Sequence, residues 1–421
     1  MAGDRTSSMR WSALAAALCL FGCRTQAPAA VDAGVCECPA PAQASALPPI
    51  KPPARQEPTA SSPHVTPLAV CEAKGRLPLD AAQSYFDQGD FEKALSCAAQ
   101  AAALAPGDAL AYAEKGNALA ALERWDEAKL AYTRALAIDP ESLEALAGAA
   151  HLYAVLLPSS RELDELGSVY AERGLDLSTS QHDDEFAIYF ARLSSMAFND
   201  IGQPEDALDR ADWVLERKKG DPEAQYERAV ALFELCRFKE ARAAFNLLLP
   251  DKERSAFAHH HLGLLVERDG KQKEADEHFA KARALDPQAF PDPVLLSKED
   301  FQRELDQVLA GLSPDMKKDL AGVPVEMEDL PLEDDLVAND PPLSPTILGL
   351  FRGPPLGESC LPEPNAKPDA PCRSIAVYRR NLSRAVKTRE ELIEQIRVTL
   401  LHEIGHLRGE DDYELAARGL E

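Results

Sequence analysis

"GDFEKALSCAAQAAALAP" at residues 89–106 is answered 34 residues later by "ERWDEAKLAYTRALAIDP" at 123–140. Ala94 and Ala128 hold equivalent places, as do Ala101 and Ala135, and Pro106 and Pro140. Further along, Ala207, Ala241 and Ala275 repeat at the same interval of 34. Each period is long enough for two helices joined by a turn. The small residues near its middle let paired helices approach closely, and the proline at its end stops the second helix.

The period resembles the tetratricopeptide repeat (TPR), a helix pair that stacks into a solenoid. Gly116 and Gly263 fall at the small position of the first helix, and Tyr132, Phe245 and Phe279 at the aromatic position of the second. The middle departs from the pattern. Ala128 and Ala207 are 79 residues apart, eleven more than two periods. Longer helices or a loop near "LLPSSRELDEL" must absorb the excess across 150–190. About six repeats are expected over 73–290, the third and fourth irregular. Such arrays commonly hold a peptide or partner protein in their concave face. Three consecutive histidines, 259–261, open a repeat's first helix. Neighbours on a helix point 100° apart, so these three cannot converge on one metal and read as structural.

The flanks differ in kind. Residues 1–23 read as a targeting segment. Arg5 and Arg10 precede an apolar run, Trp11–Phe21, too short to span a bilayer. "LFGC" at 20–23 resembles the lipobox of bacterial lipoproteins, which implies lipidation of Cys23 and an exported protein held at a membrane, periplasmic or surface side, by its lipid alone. Residues 24–72 are rich in Ala, Pro and Ser and read as a disordered tether. Export permits disulfides. Cys360 and Cys372 bracket a Pro-rich loop and form a candidate pair, Cys71 and Cys97 a second, while Cys236 reads as a small buried residue inside a helical repeat. The net charge of −25 argues against nucleic acid or anionic membrane as a binding surface, since both attract Lys and Arg clusters.

After "LDPQAFPDP" (285–293) the period stops. Residues 291–421 read as a small α+β domain. Helices are expected at 297–312 and from Pro314, strands at 323–330 and 373–380, and an extended segment at 347–353. The chain is thus mainly α, a helical solenoid followed by a small mixed domain. A last long helix starts at Thr388, which forms a capping box with Glu391. On a helical wheel Ile393, Ile396, Leu400, Ile404 and Leu407 share the core face. His402 and His406 sit one turn apart on another face, near Gln395 and Thr399.

That spacing suits chemistry. Two histidines at i, i+4 can bind one Zn2+ through neutral ring nitrogens. Glu403 is offset by about 100°, too far to ligate yet near enough to take a proton from a water held at the metal. Gly409 tolerates the left-handed turn that ends the helix. Asp412, or alternatively Asp411, can return as third ligand and leave one position open.

"HEIGHLRGEDD" is similar to the H-E-x-x-H-x-x-G-x-x-D pattern of metzincin-like enzymes. With "ILGLFRGPPLG", "IAVYRRNLSRA" and "REELIEQIRVTLLHEIGH", the last third of the chain looks like the bacterial minimal zincin metallopeptidases. The resemblance implies zinc held by His402, His406 and Asp412, with Glu403 as general base. It departs at Arg408, where the family often carries an aromatic. Tyr378 and Arg352 are weighed as oxyanion stabilisers and favoured as structural. Two functions follow: a membrane-anchored zinc metallopeptidase whose repeats recruit its peptide substrate or a partner, or a protein-binding scaffold whose terminal module holds zinc without turnover.

Overall fold

The computed structural model describes residues 70–360 and 371–420. The amino-terminal targeting segment, Cys23 and most of the tether lie outside them. Among the described residues no helix is long and apolar enough to cross a membrane.

Twelve helices form six antiparallel pairs: α1 (Pro78–Asp87) with α2 (Phe91–Leu104), α3 (Ala109–Ala121) with α4 (Trp125–Ile138), and α5 (Leu143–His151) with α6 (Arg161–Gln181). Then come α7 (Asp184–Asp200) with α8 (Pro204–Arg217), α9 (Pro222–Glu234) with α10 (Phe238–Leu248), and α11 (Ser255–Arg268) with α12 (Gln272–Leu285). Side chains at the helix starts explain the boundaries. Asp108, Ser142, Ser160, Asp183 and Asp221 each accept a hydrogen bond from a backbone N–H of the first turn, a contact worth about 1 kcal/mol. The small positions of the period meet the aromatic ones. A Cβ on Gly116 would lie 2.5 Å from the Tyr132 ring, and one on Gly263 2.6 Å from Phe279. The glycines therefore set how closely the paired helices approach.

The eleven extra residues sit in the third and fourth pairs. Helix α5 continues as a π-helical turn, Leu152–Leu156, then an extended loop leads into the 21-residue α6, which is followed by the 17-residue α7. Cys71 and Cys97 are disulfide-bonded and tie the segment before α1 to α2. The three histidines do not converge: His259 meets His278, with Nδ1 atoms 3.0 Å apart. His260 stacks on Phe290 with ring centroids 4.7 Å apart, and His261 stacks on Phe245 at 4.5 Å.

The C-terminal region contains α13 (Lys298–Gly311), α14 (Pro314–Asp319), β1 (Val325–Glu328), α15 (Glu333–Leu336), β2 (Gly349–Arg352) and β3 (Ser374–Tyr378). It ends with α16 (Arg379–Ala385), α17 (Arg389–Arg408) and α18 (Asp412–Ala416). The sheet order is β1-β3-β2, with β1 parallel and β2 antiparallel to β3, so β2 is an edge strand. Ile375 and Val377 of β3 pack with Ile396, Leu400, Ile404 and Leu407 of α17 and with Phe301 and Leu305 of α13. Residues of β3 alternate faces, so Ala376 and Tyr378 point the other way, into a cluster with Leu336, Leu343 and Ile347. Cys360 and Cys372 are disulfide-bonded.

Cys236 joins that second cluster. As a buried residue within a helical repeat, it lies in the turn between α9 and α10 with φ 56°. The C-terminal region docks on this turn and on the end of α11. Glu267, at the end of α11, is buried and pairs with Arg380 (2.6 Å) and Arg384 (2.5 Å) of α16. Arg268 donates to the Pro331 carbonyl at 3.1 Å. Repeats and C-terminal domain belong to one compact unit.

Candidate metal centre

Helix α17 opens with the Thr388–Glu391 capping box and closes at Gly409, whose φ is 90°. Its buried residues include Leu392, Ile396, Leu400, Ile404 and Leu407, so Leu392 rather than Ile393 takes the first place on the core face. Thr399 and Glu403 are buried as well, beneath β2. Beyond Gly409 the chain reverses into α18. Asp411 caps that helix, its carboxylate accepting from the Glu414 N–H at 2.9 Å. Asp412 instead turns towards the histidines. Gly405 makes the reversal tight, because a Cβ there would overlap the Leu415 side chain of α18.

The two imidazoles converge. His402 Nε2 and His406 Nε2 are 2.9 Å apart, and Asp412 Oδ1 lies 3.4 Å from the first and 3.3 Å from the second. The outer ring nitrogens are already engaged. His402 Nδ1 meets the Leu420 carbonyl at 2.6 Å, and His406 Nδ1 meets the Glu410 carbonyl at 3.0 Å. A carbonyl only accepts, so each Nδ1 carries the proton and each Nε2 presents a lone pair inward. Two lone pairs and a carboxylate facing one space form a donor set for a cation. A tetrahedral zinc about 2.0–2.1 Å from each donor separates the donors by roughly 3.3 Å. The two Asp412 distances match, and the nitrogen pair is within a few tenths of an ångström. The donor set fits zinc.

The same space draws protons when no cation fills it. Burial pushes both imidazoles towards neutrality, but the hydrogen bonds to Asp412 and the charge of Glu403 outweigh it, so both hold a proton more tightly than free histidine. Burial would raise the Asp412 carboxyl, yet its hydrogen bonds to His402 and His406 hold it well below the usual carboxylate range. Burial pushes Glu403 up, and the nearby imidazoles and a backbone hydrogen bond offset only part of that.

The hydrogen bond to Glu403 comes from the edge strand. The Phe351 N–H donates to Glu403 Oε2 at 2.7 Å. A Cβ on Gly349 would stand 2.6 Å from Thr399 Cγ2 and 2.8 Å from Glu403 Oε1. Gly349 therefore lets β2 close onto the carboxylate. An isolated glycine within a strand is the sequence signal for such an approach. The carbonyls of Glu410 and Leu420 carry no signal in side-chain identity, so a reading of motifs passes over them.

Two residues weighed as oxyanion stabilisers stand apart from the centre. Arg352 pairs with Glu328 at 2.8 Å and Asp335 at 2.6 Å, and reaches the Tyr378 hydroxyl at 3.4 Å. Strand alternation puts this cluster on the sheet face opposite Gly349 and Glu403. Arg408, at the family's frequently aromatic position, pairs with Asp319 of α14 at 2.6 Å and ties down the end of α17.

Residues 320–420 match the family described as zincin-like metallopeptidase. Residues 79–142 and 196–257 match tetratricopeptide repeats. The chain carries TPR repeats followed by a zincin-like metallopeptidase domain. No curated protein matches it. Among solved structures it is similar to YrrB, described as a TPR protein with an unusual peptide-binding site, at 20% identity over 45% of this chain and 92% of that one (TM-score 0.36). It is also similar to PilF of Pseudomonas aeruginosa, at 17% over 54% and 96% (TM-score 0.42). PilW, a type IV pilus biogenesis factor, matches at 18% over 50% and 92% (TM-score 0.41).

Proposed function

We propose that the C-terminal domain is a zinc-dependent hydrolase of peptide bonds, and that the repeats bring it a protein or peptide. The observation that carries this reading is the convergence of His402 Nε2, His406 Nε2 and an Asp412 oxygen within 4.8 Å of one another, beside the buried Glu403. The matches to a metallopeptidase family and to protein-binding repeats support it.

His402, His406 and Asp412 would hold the ion. When bound, zinc supplies a Lewis acid that polarises a carbonyl and makes water more acidic. The remaining work falls to the chain itself. Glu403 takes a proton from the attacking water and passes it to the leaving amine. Its raised proton affinity, a consequence of burial, suits a base that must work nearer neutrality than an exposed glutamate. The Phe351 N–H and the space left by Gly349 hold that carboxylate in one orientation. We place the protein outside the cytoplasm, held at a membrane by lipid on Cys23, on the strength of residues 1–23.

Zinc stoichiometry and hydrolysis of a mixed peptide library, measured for the wild type and for Glu403→Gln, test the reading together. The expected result is one zinc in both chains and turnover in the wild type alone, with a loss of about 10²–10⁴-fold on substitution. Zinc in both and turnover in neither would leave a zinc-holding scaffold. For the lipid, labelled fatty acid should enter the wild type and fail to enter Cys23→Ser; label that persists in the variant would refute attachment there.

A further inference from the structure

His402 is held by a part of the chain beyond the H-E-x-x-H-x-x-G-x-x-D pattern. Its Nδ1 faces the Leu420 carbonyl at 2.6 Å, eighteen residues away. This carbonyl is placed by a built turn. Leu420 is 7% exposed, so its side chain is packed away from solvent. Its N–H donates to the Leu415 carbonyl at 3.1 Å, and the Gly419 N–H to the Ala416 carbonyl at 2.8 Å. Gly419 has φ 71°, the left-handed region that turns the chain back over α17. Arg418 pairs with Glu410, whose own carbonyl accepts from His406 Nδ1. One ion pair thus joins the two backbone segments that orient the two imidazoles.

We infer that residues 418–420 are a positioning element of the metal centre, with the Leu420 carbonyl selecting the His402 tautomer that directs Nε2 at the ion. The inference rests on the reading that His402 is a zinc ligand. Groups in this position fix ring orientation and raise ligand basicity, and their loss typically costs about 10–100-fold in metal affinity. A backbone carbonyl is the acceptor of choice for such a role, since no change of side chain removes it. Deletion does.

Three chains separate the possibilities: wild type, Leu420→Ala, which keeps the carbonyl, and a chain ending at Arg418, which lacks it. Zinc affinity is measured by competition with a chromophoric chelator. The cobalt-substituted absorption spectrum reports the symmetry of the site, and long-range proton–nitrogen NMR correlation reports each histidine tautomer. The inference expects Nδ1–H at both histidines in the wild type. It expects a loss of about 10–100-fold in zinc affinity with an altered cobalt spectrum on truncation, and a much smaller loss in Leu420→Ala. Truncation that leaves zinc affinity within twofold of wild type would overturn it, as would an Nε2–H tautomer at His402. If the truncated chain does not fold, the wild-type tautomer decides. If the wild type binds no zinc, the proposed function falls while the tautomer still decides the role of Leu420.

Discussion

Replacing Glu267 by alanine tests whether repeats and C-terminal domain are one body. The Glu267 side chain is 2% exposed and receives Arg380 at 2.6 Å and Arg384 at 2.5 Å, whose own side chains are 23% and 20% exposed. Removing one partner of a buried pair costs about 3–5 kcal/mol, because a charge is left without its counter-ion. The two arginines are not equal in what they retain. Arg380 keeps Asp329 at 3.8 Å and the Gln272 amide. Among the described residues Arg384 keeps the face of Phe279, 4.7 Å from its guanidinium, and the charge of Asp276, and its Nη1 has no hydrogen-bond partner. The partial exposure and the residual contacts of Arg380 place the loss near the lower bound, about 3 kcal/mol. Urea unfolding followed by circular dichroism measures it as a fall in midpoint. A loss under about 1 kcal/mol, the size of an exposed pair, would refute the argument and mean that solvent screens the contact.

Gly405→Ala should destabilise. Helix propensity favours alanine by up to about 1 kcal/mol, but overlap with Leu415 costs about 1–3 kcal/mol, and zinc affinity should fall with it because α18 carries Asp412; calorimetric titration reads both. Gly349→Ala should leave zinc bound and lower turnover by roughly 10²-fold, since its Cβ would displace Glu403; unchanged turnover would contradict the role given to β2. Burial raises Glu227 in the repeats to about 7, with Asn199 and Arg254 offsetting part of the shift. The unfolded carboxyl ionises near 4.5, so the folded state loses stability as pH rises between these values and is unpenalised below 4.5. Glu227→Gln should therefore stabilise by up to about 3 kcal/mol at pH 8 and by almost nothing at about pH 3.5, as urea midpoints at the two pH values will report.

Much of this was legible because the relevant physics is local. The 34-residue interval follows from helix pairs that must stack, the Thr388–Glu391 box from unpaired N–H groups, and the turn at Gly409 from the cost of a side chain at positive φ. The pairing of His402 with His406 follows from the helical pitch. What escaped was set by long-range packing. Thr399 and Glu403 are buried because an edge strand closes over them at Gly349, which no helical wheel can show. Cys236 reads as a small buried residue of a helical repeat, and it is one, but only the fold shows that its turn packs against the C-terminal domain. Helix α16 was hidden because "RRNLSR" follows a strand without a capping residue: Tyr378 precedes it and provides no side-chain cap. Arg352 and Tyr378 appear in family-like segments, but strand alternation decides which face they serve, and a one-residue change of register would reverse it.

The central claim is that three side chains and one ion form the centre. An anomalous difference map collected at the zinc edge, from crystals grown with stoichiometric zinc, tests it most directly. The account predicts a single strong peak about 2.0–2.2 Å from His402 Nε2, His406 Nε2 and an Asp412 oxygen, with Glu403 outside bonding distance. A map with no peak there, or a peak bonded by Asp411 or Glu403 in place of Asp412, would contradict it.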